Sequence, residues 1–316
     1  MWELTVLFIA GAYVGWNIGA NDAGNCIGTT VGSGLLSYRK AIILVGVFVI
    51  LGALLQGHGV LETIGRGVVT TEMPVVAILT ALFASGLFVT LATFFKLPVS
   101  TSQAIVGGIA GVGLATGAEV DLSTVLTIAQ VWVICPILTG IIAFLLYHLV
   151  AFPLRRIRNS ERVDRILKIL LIGSSCYVAF ALGANNLGNA VGPIANLGID
   201  SIWLNVMGAV ALALGALTFG HRVAETVGGG ITALDPLSAF AAQASAAVAI
   251  HFFSLLAIPV STSQAVVGAL VGVGLVKGMR AVNRRKVIEI VAGWVATPLT
   301  AGLFSFGLYR LIMLVW

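Results

Sequence analysis

Gly19-Ala20-Asn21-Asp22-Ala23-Gly24-Asn25 returns as Gly183-Ala184-Asn185-Asn186-Leu187-Gly188-Asn189, and Leu97-Pro98-Val99-Ser100-Thr101-Ser102-Gln103 returns as Ile258-Pro259-Val260-Ser261-Thr262-Ser263-Gln264. Order and spacing, roughly 160 residues, are kept both times. Outward from these, His58-Gly59-Val60-Leu61-Glu62-Thr63 pairs with His221-Arg222-Val223-Ala224-Glu225-Thr226, and Trp132 with Pro136 pairs with Trp294 and Pro298. The period exceeds the ~20 to 50 residues of solenoid repeats, so each unit is half of a protein. The halves are read as residues 1–153 and 169–316, joined by a basic linker, 154–168.

The 316 residues are 59% hydrophobic and 9% charged, with a mean hydropathy of +1.08. A soluble domain carries about 25% charged residues, and so few charges cannot cover a water-facing surface. The chain is expected in a bilayer. Apolar stretches of spanning length occur near 2–20, 41–57, 73–95, 124–150, 166–182, 202–219, 237–257 and 287–315. Backbone groups in lipid must be satisfied within their own segment, and the period-two alternation of a membrane barrel is absent, so helices are expected. The fold class is an all-α polytopic membrane protein with about five crossings per half.

The first apolar stretch has no basic n-region and runs straight into the first motif, which reads as a retained helix rather than a signal peptide. Cys26, Cys135 and Cys176 form an odd, dispersed set, neither a disulfide framework nor a zinc site. The net charge of +5 gathers in membrane-flanking loops, above all at Arg155, Arg156, Arg158, Arg162, Arg165 and Lys168. That is the positive-inside mark of a cytoplasmic loop rather than a nucleic-acid patch.

Charge sign reverses between equivalent loops. Arg39-Lys40 corresponds to the region of Asp200, while Glu119 and Asp121 correspond to Arg280, Arg284, Arg285 and Lys286. Equivalent loops on opposite sides of the membrane mean two inverted-topology repeats, whose broken helices or re-entrant hairpins meet at a midplane site. The expected location is the cell membrane, with both termini outside.

Pro98 and Pro259 interrupt helices, and the hydroxyls of Ser100, Thr101, Ser102 and of Ser261, Thr262, Ser263 stand where they cap the next ones. Each copy then aims a helix N-terminus, backbone N–H groups and hydroxyls at one spot, which suits a tetrahedral oxyanion. A single copy would read as a buried cap. Two copies in inverted halves point to one shared anion site that includes Gln103 and Gln264.

Asn21, Asp22 and Asn25, with Asn185, Asn186 and Asn189, bring carboxylate and carboxamide oxygens into apolar sequence, where burial is expensive without something to coordinate. Hard oxygen ligands suit a small cation such as sodium, and the flanking glycines permit an unwound backbone that exposes carbonyls. The plainer alternative is helix-to-helix hydrogen bonding by Asn with close packing at Gly. Glu62 and Glu225 read as gating or ion-site residues, or as partners of Arg66 and Arg222. His58, His221 and His251 lack metal spacing and read as polar anchors. There is no nucleotide-binding Gly-rich loop and no nucleophile elbow, so neither an enzyme nor a cofactor is expected, and a gradient must supply the energy.

With these residues in view, the chain resembles the inorganic phosphate transporter (PiT) family of secondary carriers over essentially its whole length. The resemblance rests on Gly19-Ala20-Asn21-Asp22 followed by Gly28-Thr29-Thr30-Val31-Gly32-Ser33, on Gly192-Pro193 closing the second copy, and on the duplicated Pro-Val-Ser-Thr segments. It implies phosphate uptake with sodium or protons by a homodimer, with Asp22 and the paired Asn residues on the cation and the two Ser-Thr segments on phosphate. This sequence departs from the family pattern at Gln103 and Gln264, where many members carry His, and at Asn186, where many carry Asp. The expected function is secondary active import of inorganic phosphate by alternating access, coupled to sodium or else to protons. A sulfate or other oxyanion permease, and a non-coupled phosphate channel or sensor, are the alternatives.

Overall fold

A computed structural model describes residues 2–34, 36–97, 99–195, 197, 201–224, 231–232 and 234–315. Pro98, Asp200 and Glu225 therefore lie outside the described residues. The described chain is helical, and its single β-type pairing is an isolated bridge between Val69 and Val120. Among the described residues, eight helices are long and apolar enough to cross a membrane. They are α1 (Trp2–Gly32), α2 (Tyr38–Gln56), α4 (Val75–Phe94), α6 (Leu122–Leu154), α7 (Ser160–Val191), α8 (Ser201–Phe219), α9 (Pro236–Leu255) and α11 (Arg284–Val315). The shorter helices are α3 (His58–Glu62), continued by a π turn over Thr63–Gly67, and the apolar α5 (Thr101–Thr116) and α10 (Thr262–Val276).

Expected and observed crossings differ in one respect. α4 has spanning length, yet α5 brings the chain back to where α4 began. Thr70 N donates to Glu119 O at 3.0 Å and Asp121 N to Val68 O at 3.1 Å, so the two ends of the α4–α5 hairpin are tied together. Asn283 N donates to Ile231 O at 3.0 Å and closes the α9–α10 hairpin in the same way. Each half therefore holds one re-entrant hairpin, as expected, beside its traversing helices, and α4 and α5 do not count as two of the roughly five crossings expected per half.

The turns at the hairpin tips follow from local chemistry. α4 and α9 end at Lys96 and Ala257, equivalent residues that share a left-handed φ of 59°. Leu97 N reaches back to Ala92 O at 2.8 Å and Ile258 N to Phe253 O at 2.9 Å, the six-to-one bond that closes a helix through a left-handed residue. Ser100 and Ser261 then start α5 and α10 from extended backbone, each hydroxyl accepting from the N–H three residues on.

Glycines set the direction of packing. A Cβ on Gly19 would fall on the Leu212 carbonyl and one on Gly215 on the Trp16 carbonyl; the equivalent Gly183 and Gly52 meet Val49 and Phe180. α1 thus runs alongside α8, and α2 alongside α7, at backbone-to-backbone distance. α1 and α7 run antiparallel, because Gly11 lies at Ala190 and Ile194, Asp22 at Asn186 and Thr30 at Ser175. Gly268 and Gly272 meet Pro136 and Gly140, while Gly107 and Gly111 meet Pro298 and Gly302. α10 therefore parallels α6 and α5 parallels α11, which places the bases of the two hairpins at opposite ends of the bundle. Arg155, Arg156 and Arg158 join α6 to α7, and Arg162, Arg165 and Lys168 ride the first turns of α7.

Gly19→Val is expected to force α1 from α8 and to destabilise the fold by about 1–3 kcal/mol or more, as overpacking does. Gly173→Val, where a Cβ meets nothing within 4 Å, is expected to leave the melting midpoint in detergent unchanged.

Candidate functional site

Where α1 and α7 cross, the two Gly-Ala-Asn motifs face the two hairpin tips. Both helices run through their motifs unbroken, so the unwound backbone expected there does not form. The glycines serve packing instead: Gly24 lies against Val223, and Gly188 against Val60 and Leu61. Oxygens reach the centre from side chains, not from freed carbonyls. Asn21, Asp22, Asn25, Asn185, Asn186 and Asn189 are all 0% exposed.

Asp22 is the carboxylate at this centre. Its Oδ2 accepts from Thr101 Oγ1 at 2.8 Å and from Asn186 Nδ2 at 2.9 Å, joining α1, α5 and α7. Asn186 Nδ2 also donates to Thr262 Oγ1 at 3.3 Å, which brings in α10. Bonds around this pair are exchanged between halves. Asn25 Nδ2 donates to Ser263 Oγ at 2.8 Å and Asn189 Nδ2 to Ser102 Oγ at 2.8 Å. Ser102 Oγ donates to Val260 O at 2.8 Å and Ser263 Oγ to Val99 O at 2.7 Å. Each hairpin is held by the other half's asparagine and by the other hairpin's backbone.

The two tips are not held alike. Asn185 Nδ2 donates to Val260 O at 2.8 Å and Asn185 Oδ1 accepts from Val260 N at 3.0 Å. Asn21, its equivalent, donates to Thr93 Oγ1 at 2.9 Å and to Leu97 O at 3.1 Å.

After this bonding, Asn21 Oδ1, Asp22 Oδ1, Asn25 Oδ1, Asn189 Oδ1, Gln103 Oε1 and Gln264 Oε1 are buried and accept no hydrogen bond. Leaving an acceptor buried and unpaired costs about 1–3 kcal/mol, more for a charged group. A set made of oxygens, one of them a carboxylate, has the chemistry of a cation site. The hydroxyls expected on an anion are engaged within the protein: Ser100 and Ser261 cap Gln103 N and Gln264 N at 3.3 and 3.2 Å, and Thr101 is on Asp22. Two helix N-termini nonetheless converge beside the oxygens, so the buried centre offers chemistry suited to either sign of ligand.

Glu62 is exposed and so is not among the buried residues of this centre, and Glu225 lies outside the described residues. His251 is an anchor: its Nδ1 pairs with Tyr177 Oη at 2.8 Å and its Nε2 with Gln56 Oε1. No cluster of three His, Cys, Asp or Glu occurs among the described residues.

Two partners went unread in the sequence. Thr93 holds Asn21, and Gln243 of α9 binds Cys26 O at 2.8 Å and Thr29 Oγ1 at 2.6 Å, while its Oε1 accepts from Ser174 and Ser175 at 3.0 Å. The signal for Gln243 was present as a carboxamide within an apolar helix. The other half places Leu82 there, so comparison of repeats passes over it.

Asp22→Asn preserves shape while removing the charge. If the centre holds a cation, this substitution is expected to weaken that binding by about tenfold or more and to remove any rise in melting midpoint on adding sodium, with melting in sodium-free buffer little changed.

The model of the phosphate transporter family matches residues 18–305. A chain from Methanocaldococcus jannaschii named "Putative phosphate permease" is 34% identical, covering 98% of this chain and 97% of its own. One of the same name from Thermococcus kodakarensis is 30% identical over 99% and 98%. A solved structure described as the sodium-dependent phosphate transporter superposes with a TM-score of 0.92 at 26% identity and covers 100% of both chains. The chain belongs to the phosphate transporter family, and it is a multi-pass membrane protein and not an enzyme.

Proposed function

We propose that this transporter imports inorganic phosphate with a cation, sodium rather than the proton, by alternating access between inverted halves spanning 1–153 and 169–316. The observation that carries the reading is the exchanged bonding at the centre, in which each hairpin tip is held by the opposite half around one shared carboxylate. A solved structure named for sodium dependence supports the choice of ion.

Antiparallel α1 and α7 and oppositely based hairpins support inverted topology. Traced along the chain, Arg39, Lys40, the 154–168 linker and Arg284–Lys286 fall at one end of the bundle and Glu119 and Asp121 at the other. The positive-inside rule then makes the linker end cytoplasmic, with both termini outside, in the cell membrane. A homodimer is part of the proposal through the family resemblance.

Cations come first in this mechanism. Six unpaired side-chain oxygens of the centre, one of them on the Asp22 carboxylate, repel an oxyanion until cations sit among them, while the unpaired donors Trp132 Nε1 and Trp294 Nε1 line one cavity with Gln103 and Gln264. Asp22 Oδ1 with the Asn21, Asn25 and Asn189 oxygens is the proposed sodium-binding set. Asn185 Oδ1 and Asn186 Oδ1 already accept hydrogen bonds in this conformation. Phosphate is then held by the first turns of α5 and α10, at Ser100–Gln103 and Ser261–Gln264. Moving a dianion against 100 mV costs about 4.6 kcal/mol, twice the ~2.3 for one charge, and two monovalent cations cancel it. Full burial of the centre weighs against an open channel.

Purified protein in liposomes is expected to accumulate labelled phosphate under an inward sodium gradient, weakly under a proton gradient alone, with excess sulfate competing poorly. Uptake indifferent to both gradients would identify a passive channel, and sulfate uptake exceeding phosphate uptake would identify a sulfate permease. A single cysteine replacing Glu119 in a background without native thiols is expected to react from outside, and one replacing Arg284 from inside. Labelling of both from one side would refute the inverted arrangement.

A further inference from the structure

The duplicated residues Asn21 and Asn185 occupy the same place in the two halves, yet they are bonded differently. Asn185 grips Val260 at both its N–H and its carbonyl, as a neighbouring strand would, and Val260 is 0% exposed. In the other half the side chain of Asn21 is diverted. Its amide is shared between Thr93 Oγ1 and Leu97 O, and its oxygen is buried without a donor. Val99, the equivalent of Val260, is partly exposed, and Leu97 is 48% exposed.

The hydroxyl that receives the diverted amide is that of Thr93. Thr93 Oγ1 bonds its own helix at Val89 O, 2.8 Å away, and still accepts from Asn21. Its equivalent, Ser254, bonds Ile250 O at 2.8 Å and leaves Asn185 to the backbone of the tip. The tips are also tied to each other, Ser102 to Val260 O and Ser263 to Val99 O, so movement of one is passed to the other.

We infer that Asn21 and Asn185 are positioning residues, each a latch for the hairpin tip of its own half, and that the carrier closes one latch at a time. The present conformation has the Asn185–Val260 latch closed and the Asn21–Val99 latch open. In the opposite conformation Asn21 leaves Thr93 and takes both backbone groups of Val99, which gives its unpaired oxygen a donor, while Asn185 releases Val260. This rests on the alternating-access reading and adds which bonds exchange. In the present conformation Asn21 Oδ1 is unpaired like the Asn25 and Asn189 oxygens and belongs with them to the proposed sodium-binding set; closing its latch withdraws it from that set, whereas Asn25 and Asn189 keep their oxygens available to a cation.

The test uses full-length protein without Cys26, Cys135 and Cys176, carrying either Val99→Cys or Val260→Cys, reacted with a small thiol reagent in the absence of sodium and phosphate. Val99→Cys is expected to react faster. Asn185→Ala is expected to raise the rate at Val260→Cys and lower that at Val99→Cys, each by about threefold or more, as a population shift demands. Thr93→Val leaves the closed latch untouched and frees Asn21, so it is expected to move both rates in the same directions. It also supplies the answer if Asn185→Ala does not fold. A rise at Val260→Cys with no fall at Val99→Cys would mean local loosening only and overturn the proposal, as would unchanged rates in Thr93→Val. Since no transport is measured, reciprocal rates in a protein that fails to accumulate phosphate would leave the latches standing and remove the coupled-import reading alone.

Discussion

The carboxylate of Asp22 accepts from Thr101 and from Asn186, and with those two bonds a helix of each half and a hairpin tip converge on one charge. A charge in a hydrocarbon-thick bundle is tolerated only where partners surround it. That requirement shapes the neighbourhood. Carboxamides and hydroxyls must approach from both halves, and helices must come close enough for short side chains to reach. The glycines at which α1 meets α8, and α2 meets α7, make that approach. The hairpins deliver what traversing helices cannot, namely helix N-termini inside the membrane.

Under the proposed function, coupling would follow from charge at one place: cations seated among the unpaired oxygens would prepare the ground for phosphate at the two helix N-termini, and phosphate would in turn hold the cations. The unequal grip on the two tips gives the duplicated fold a direction at any moment, since equivalent residues stand in different bonding states while sharing one centre.

Much of this was legible in the sequence because the duplication prints the same polar residues twice into apolar surroundings. The helical fold, the equivalent places of Asn25 and Asn189 and the capping by Ser100 and Ser261 all follow from that pattern. The unbroken course of α1 and α7 did not, because glycine licenses both unwinding and close packing, and only the neighbours Leu212 and Val49 decide between them. Re-entrant hairpins were expected from the prolines and the duplicated motifs, but which apolar segment turns back was not: the 20-residue α4 reads as a crossing until bonds at Val68, Thr70, Glu119 and Asp121 reveal where its partner returns. Gln243 was missed because Leu82 stands at the equivalent position, so it carries no repeat signal; Thr93 has a hydroxyl counterpart in Ser254 but lies outside the two quoted motifs.

The central claim, that cation and phosphate share one centre built around Asp22, is tested most directly by sodium-binding isotherms of the purified protein in detergent at zero and saturating phosphate. The account predicts that phosphate tightens sodium binding, and that sodium tightens phosphate binding by the same factor, as thermodynamic linkage requires. A sodium affinity indifferent to phosphate would contradict it.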